Sequence, residues 1–329
     1  MTIDLEALYT DLHQHPELSF QETRTAGIAA GHLRDLGLEV HEGIGVTGVV
    51  GILRNGEGPV VWARADMDAL PVGEETGLAY ASTATGIDPA GNTVPVMHAC
   101  GHDMHVTAMI GAVEKLVAEK DDWSGTVVVL IQPAEEYGAG SRAMLDAGLR
   151  DLVPHPDVVL GQHVTPLPAG TIGVRPGTQM AASDGLTVVL HGRGGHGSRP
   201  HSTIDPVVMA AATVMRLQTI ASREVDPRDV AVVTVGSIHA GLKNNIIPAE
   251  AKLELSLRYP NDEMRDKVLA SVERIVRAEA AASGAEREPE IRTDHTLPPT
   301  INDADATARV TSALQLSLIH ISEPTRPLY

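Results

Sequence analysis

Apolar and polar positions in the first half of the chain alternate between strand-like and helix-like stretches. SFQETRTAGIAAGHLRDLG opens on a capping box from Ser19 to Glu22 and stops at Gly37, which predicts a helix with both ends marked. VTGVVGIL and VVWARAD are short, β-branched and bounded by Gly and Pro, as strands are. After HACGHD comes MHVTAMIGAVEKLVAEK, whose apolar residues recur at helical spacing. GTVVVLIQ, a helix near SRAMLDAGL, and DVVLGQHV follow. Several of these strands are apolar on both faces, which predicts a sheet covered by helices on both sides. The expected class is α/β, with a helix-covered sheet domain.

From about residue 178 the pattern changes. SDGLTVVLHGRGG reads as a strand, DPVVMAAATVMRLQTIAS as a helix beginning at Asp205-Pro206, and VAVVTVGSIHAG as a strand. AEAKLELSLRYP alternates strictly, and NDEMRDKVLASVERIVRAEAAASG is a long amphipathic helix. Two helices with about four alternating strands make a smaller α+β domain with one open face. The expected division is therefore 1–177 for the first part of the sheet domain, 178–288 for the inserted domain, and 289–315 for a strand and helix that rejoin the first. Residues 316–329, LSLIHISEPTRPLY, do not continue the preceding pattern. They resemble a translated sequencing-adapter segment and are expected to be foreign to the protein, the alternative being a genuine disordered tail.

Composition narrows the possible partners. The 329 residues are 43% hydrophobic and 21% charged, the make-up of an ordinary globular protein. A formal charge of −18 argues against nucleic acid and anionic membrane, since long-range repulsion opposes both. A single cysteine excludes an internal disulfide and suits a reducing compartment. The N-terminal stretch does not read as a secretory signal, and no apolar run reaches the roughly 18 residues of a membrane helix. A cytoplasmic protein is expected.

The chemistry concentrates at strand ends. MHACGHDMH, residues 97–105, places three of the fifteen histidines, the only cysteine and an aspartate within nine positions. VVWARADMD ends at Asp66 and Asp68, VVVLIQPAEE at Glu135 and Glu136, and VVLGQHV at His163. In open α/β sheets, sites form beyond the carboxyl ends of the strands, so these groups can converge with Cys100, His102 and Asp103 on one crevice. Thiolate, imidazole and carboxylate together are the donor set of zinc and its first-row neighbours, whereas calcium and magnesium call for oxygen alone. Adjacent Glu135 and Glu136 point in different directions, so one can ligate while the other takes a proton. Taken singly, each motif also has an ordinary reading: a structural cysteine, a solvated Glu pair, a satisfied core histidine, a salt-bridged strand end. In the second domain, HGRGGHGSRPH presents His196 either as a tight connection or as an oxyanion-binding loop. Asn245 and Arg258 are open between turn or surface positions and substrate contacts.

Together, RADMDALP, HACGHDMH, QPAEE, GQHV, GRGGHGSRPHSTIDPV and NNIIPAEAKLELSLR resemble the metal-dependent amidohydrolases of the aminoacylase, hippurate hydrolase and auxin-conjugate hydrolase type, within the dinuclear metallocarboxypeptidase superfamily. The resemblance runs from about residue 5 to 314. It implies a catalytic sheet domain with an inserted lid and dimerisation domain. It implies metal ligation by Cys100, His102, Glu136 and His163, with Glu135 as general base and two divalent ions (manganese, zinc or cobalt). His196 would stabilise the oxyanion, and in dimeric relatives it reaches the neighbouring subunit's site. Asn245 and Arg258 would contact the carboxylate end of an N-acyl amino acid, and Asp66, Asp68 and Asp103 would orient the ligands.

One departure stands out. Relatives carry a further histidine ligand near the C-terminus, and neither His295 nor His320 sits in the matching motif. The expectation is a shortened chain lacking one ligand. Two rival readings follow: a hydrolase using Cys100 as nucleophile, or an inactive metal-binding or dimerising remnant.

Overall fold

A computed structural model describes residues 2–317 and 320–322, with side chains through residue 314. The chain divides into two compact units, residues 1–166 and 167–329.

In the first unit, helices α1 (Leu5–Gln14) and α2 (Thr23–Asp35) precede strands β1 (Glu39–Ile44), β2 (Gly48–Asn55) and β3 (Val60–Asp66). A short hairpin, β4 (Thr85–Ile87) and β5 (Thr93–Pro95), leads into α3 (His102–Ala118). Then come β6 (Gly125–Gln132), α4 (Gly140–Asp146), α5 (Leu149–Leu152) and β7 (Val158–Gly161). The sheet order is β1-β2-β6-β3-β7. β2 runs antiparallel to β1 and β6, while β3 runs parallel to both β6 and β7.

Both faces of this sheet are dry, as the strand sequences predict. Val49, Leu53, Ala65, Val129 and Ile131 pack with Leu8, Leu12, Ala29, Leu33, Val106 and Ile110 of α1, α2 and α3. Their strand neighbours Val50, Ile52, Trp62, Val128 and Leu130 point the other way, against Met144 and Leu149. The two-residue period of a strand sends alternate side chains to opposite faces, and here both sets are apolar.

The predicted capping box does not form. Helix α2 begins at Thr23, and Glu22 makes no side-chain cap bond to it. Glu17 takes that role, accepting the amides of Arg24 and Thr25 at 3.0 and 2.8 Å. Ser19 and Glu22 are instead drawn into the interior by partners far along the chain.

The second unit contains β8 (Thr171–Gly173), β9 (Gly177–Met180), β10 (Ala182–His191), β11 (Gly195–His196) and α6 (Pro206–Thr219). It continues with β12 (Val232–Ala240), β13 (Ile246–Ile247), β14 (Glu250–Tyr259), α7 (Asp262–Ala282) and β15 (Glu290–Leu297). β16 (Thr300–Asn302), α8 (Ala304–Ser317) and β17 (His320–Ser322) complete it. Its main sheet is antiparallel, in the order β12-β14-β10-β15. Both helices start as their sequences predict, on side-chain caps from Asp205 to the Val207 amide and from Asn261 to the Met264 amide. Along β14, Leu253, Leu255 and Leu257 are buried in a core shared with Met209, Leu217, Val268 and Val272, while Glu254 and Ser256 face outward.

Strand β15 lies within the segment expected to return to the first domain. It pairs instead with β10, whose second edge would otherwise be bare, so this sheet extends through Leu297 rather than stopping at 288. Of the stretch expected to be foreign, residues 318, 319 and 323–329 lie outside the described residues. Ser317 ends α8, and His320–Ser322 pair in parallel with β8. No described helix is long and apolar enough to cross a membrane.

Candidate metal centre

Three parallel strands lie side by side as β6, β3 and β7, so their carboxyl ends open on the same edge of the sheet. Asp66 closes β3 opposite Gln132 of β6, and the chain beyond Gln132 turns at Pro133 and Ala134 to present Glu135 and Glu136. His163 follows β7. Helix α3 supplies His102 at its first position, immediately after Gly101. Gly101 has φ +79°, and a Cβ there would lie 2.5 Å from a Val164 methyl. Only glycine allows both the left-handed turn and the close approach that brings His163 to Cys100 and His102. The ring centroids of His102 and His163 are 5.8 Å apart.

Hydrogen bonds fix which imidazole nitrogens are free. Nδ1 of His102 donates to Asp68 at 3.2 Å, leaving Nε2 buried without a hydrogen-bond partner. That nitrogen lies 3.9 Å from Glu135 Oε2 and 3.9 Å from Glu136 Oε1, and the latter oxygen is itself buried and unpartnered. Nδ1 of His163 donates to the Val164 carbonyl oxygen at 2.6 Å, which leaves its Nε2 as the acceptor, 3.5 Å from Cys100 Sγ. A second-nitrogen bond of this kind is how proteins fix the tautomer of a ligating histidine.

The donor atoms of Cys100, His102 and His163 lie within 4.8 Å of one another, as do those of His102, Glu135 and Glu136. The donor atoms of Asp66, His102 and His105 are equally close, within 4.8 Å. His105, however, has both nitrogens committed: Nδ1 donates to Asp66, and Nε2 accepts the Val164 amide at 2.9 Å. His105 therefore holds the His163 segment in place rather than offering a ligand. A soft thiolate, two imidazoles with free Nε2 atoms and two carboxylates match the preferences of a divalent first-row cation. The unpartnered Nε2 and Oε1 are atoms that such an ion would satisfy.

The electrostatics agree. The neighbouring His102 and His163 imidazoles hold the Cys100 thiol below its usual value, toward the thiolate that ligation needs. Burial pushes the Glu136 carboxyl up, and the neighbouring Glu135 charge adds to the rise. Burial also penalises charge on Asp66, but the His105 hydrogen bond and the Arg64 and His102 charges outweigh it and bring Asp66 down to about 2. His102 is lowered by burial yet raised overall to about 11 by Asp68, Cys100 and Asp66. Negative charge thus exceeds what the protein's own cations neutralise at this point, and a bound cation would relieve it.

The other predicted residues fall as follows. Asp68 bonds His102 directly and also accepts Ser19 Oγ at 2.6 Å and the Glu136 amide at 3.0 Å. Asp66 lies 3.7 Å from His102 Nε2. Asp103 turns away from the donors to His13, at 2.6 Å. In the second unit, His196 and Asn245 are neighbours: the Gly197 amide donates to the Asn245 carbonyl, and β11 pairs with β13. Arg258 lies eight residues along β14 from Glu250, roughly 26 Å at strand rise, and so is not grouped with them. His295 lies on β15, its ring against Gly185. The sequence reading missed His13, Ser19, Glu22, Glu74 and His105. Only His105 left a local signal, three residues beyond His102 on the same helix face.

A sheet-edge crevice lined by thiolate, imidazole and carboxylate donors beside an uncommitted carboxylate is the centre of a metal-dependent hydrolase. Residues 62–327 match the family model described as peptidase family M20/M25/M40, and the chain belongs to that family. It is similar to thermostable carboxypeptidase 1 of Saccharolobus solfataricus, 38% identical over 319 residues, which are 95% of this chain and 78% of the relative. It is also similar to the N-acyl-L-amino acid amidohydrolase of Geobacillus stearothermophilus, 38% identical over 302 residues, covering 91% and 78%. Among solved structures it resembles the YXEP protein of Bacillus subtilis, a dinuclear metal-binding peptidase of the M20 family. That match has a TM-score of 0.78 and 33% identity, covering 98% of this chain and 82% of that one.

Proposed function

We propose that the protein hydrolyses the amide bond of N-acyl amino acids of the N-acetyl, benzoyl or indole-acetyl kind, releasing a carboxylic acid and the free amino acid. The observation that carries this reading is the pair Glu135 and Glu136 facing the one unpartnered nitrogen of His102. Cys100, His102, Glu136 and His163 would hold divalent metal, two ions in the complete site, drawn from manganese, zinc and cobalt. Bound metal would polarise the acyl carbonyl and make water a better nucleophile at neutral pH. Glu135, whose carboxylate accepts no hydrogen bond among the described residues, takes the proton of the attacking water and passes it to the leaving amine nitrogen. Asp66 and Asp68 keep the imidazoles oriented.

His196 would stabilise the oxyanion. Its Nδ1 accepts the Ser198 amide at 3.1 Å, so in the neutral ring Nε2 carries the proton and can donate. Asn245, beside it, would serve the substrate carboxylate. We place a homodimer contact on the second unit, at the β12 edge. That edge has no strand partner among the described residues, Ile238 on it is half-exposed, and Met215 of the adjacent α6 is 73% exposed. A free thiol kept for ligation supports a cytoplasmic location.

The test is chelation. Activity against N-acetyl, N-benzoyl and indole-acetyl amino acids is expected to vanish with chelator and return with manganese, cobalt or zinc. A rival reading, Cys100 as nucleophile, draws on its 3.5 Å contact with His163. It would be upheld if chelator spared the rate while a thiol alkylator abolished it. Sedimentation of the whole chain tests the dimer, and a monomer at micromolar concentration would overturn it.

A further inference from the structure

We propose that Glu22 is a positioning residue for the Glu135–Glu136 pair, acting through the backbone of Ala134. Glu22 is completely buried. Burying a carboxylate is costly unless its oxygens are satisfied, and here both are. Oε1 accepts the Ala134 amide at 2.8 Å and the Phe20 amide at 2.9 Å, and Oε2 accepts Thr47 Oγ1 at 2.5 Å. The two amides on Oε1 belong to residues with left-handed backbone, Phe20 at φ +62° and Ala134 at φ +45°. Neither is glycine, so each conformation needs outside support.

The ordinary role for an acidic residue at this place is to cap α2. Glu22 makes no such bond, and Glu17 already supplies it. What Glu22 does is hold the turn from which the two functional carboxylates leave β6. The far side of that turn is packed against Gly140, where a Cβ would lie 1.6 Å from the Pro133 carbonyl oxygen. The other end of the turn is held by the same N-terminal segment: Ser19 Oγ donates to Asp68, which accepts the Glu136 amide. Ser19 and Glu22 therefore clamp the turn at Glu136 and Ala134, and the clamp sets where Glu135 and Glu136 point.

This inference rests on the reading of Glu136 as a metal ligand and Glu135 as the base. The probe is cobalt(II) alone, bound to the 329-residue chain, read by its visible absorption and by titration. Glu22→Ala is expected to change the cobalt spectrum and weaken binding roughly 10- to 100-fold, the usual cost of losing a partner that orients a ligand. Glu22→Gln keeps an acceptor oxygen for the Ala134 amide and is expected to restore the wild-type spectrum. Thr47→Val, which frees one side of the carboxylate, serves if Glu22→Ala does not fold, and is expected to shift the spectrum in the same direction. Where the chain turns over an N-acyl amino acid, kcat falls in Glu22→Ala while KM changes little. A wild-type spectrum in Glu22→Ala, or in Thr47→Val where the former does not fold, overturns the proposal. So does a Glu22→Gln spectrum as altered as that of Glu22→Ala. Glu136→Gln is the separate control: if it leaves the spectrum unchanged, the functional reading fails, whatever Glu22 does.

Discussion

Replacing Asp68 by Asn changes almost no volume but removes one acceptor, and the structure says which partner loses. Oδ2 of Asp68 accepts two donors, Ser19 Oγ at 2.6 Å and the Glu136 amide at 3.0 Å, while Oδ1 accepts His102 Nδ1 at 3.2 Å. An asparagine has one oxygen for these two places. If the oxygen stays with Ser19 and Glu136, the amide NH₂ faces His102 Nδ1, which must then accept. The ring proton moves to Nε2, the nitrogen beside Glu135 and Glu136, and a protonated Nε2 cannot ligate. If the oxygen turns to His102, the half-buried Glu136 amide meets another donor and goes unpaired, at a cost of up to about 1–3 kcal/mol. Both routes weaken metal binding, and loss of a ligand's hydrogen-bond partner typically costs about 10- to 100-fold in affinity. That is about 1.4–2.8 kcal/mol at 1.4 kcal/mol per tenfold. Competition titration of zinc into metal-free wild type and Asp68→Asn measures it, with thermal unfolding of both metal-free proteins as the control for folding. Equal zinc affinities in two folded proteins would refute the tautomer argument and the placing of His102 Nε2 on the metal.

Three further outcomes are expected. Glu135→Gln retains metal but loses about 10²- to 10⁴-fold in rate, whereas Glu136→Gln loses metal affinity; metal analysis of the two variants decides, and equal loss in both would erase the division of roles. Burial pushes His13 down, but its bonds to Asp103 and Glu74 outweigh this and raise it above its usual value. Its contribution to stability is therefore complete below about pH 6.5 and lost as pH rises through the raised value, so urea unfolding between pH 6 and 9 should show a decline that is shallower in His13→Gln. Leu253→Ala, in the fully buried centre of β14, is expected to destabilise the second unit by about 2–5 kcal/mol in denaturant unfolding; a change under 1 kcal/mol would mean that this core collapses around the gap.

The sequence by itself determined the α/β alternation, the two-sided burial of the first sheet, the long helix and alternating strands of the second unit, and which donor residues stand as candidates at the strand ends. These are properties of residue type at short spacing: two-residue and helical periods, side-chain caps such as Asp205 and Asn261, and strands that end in Asp, Glu and His. Tertiary structure decided what those spacings cannot encode. Ser19 and Glu22 have the pattern of a capping box, but their partners Asp68 and Ala134 lie 49 and 112 residues away, and satisfying buried polar atoms there outweighs a surface cap. Edge pairing with β10 assigned β15 to the second sheet, and register along β14 separated Arg258 from His196 and Asn245. The pairing of three histidines with three aspartates was likewise decided only by contact, which ties His102 to Asp68, His105 to Asp66 and His13 to Asp103. A histidine's free nitrogen is fixed by whatever holds the other one, and that partner reaches it through the fold rather than along the chain.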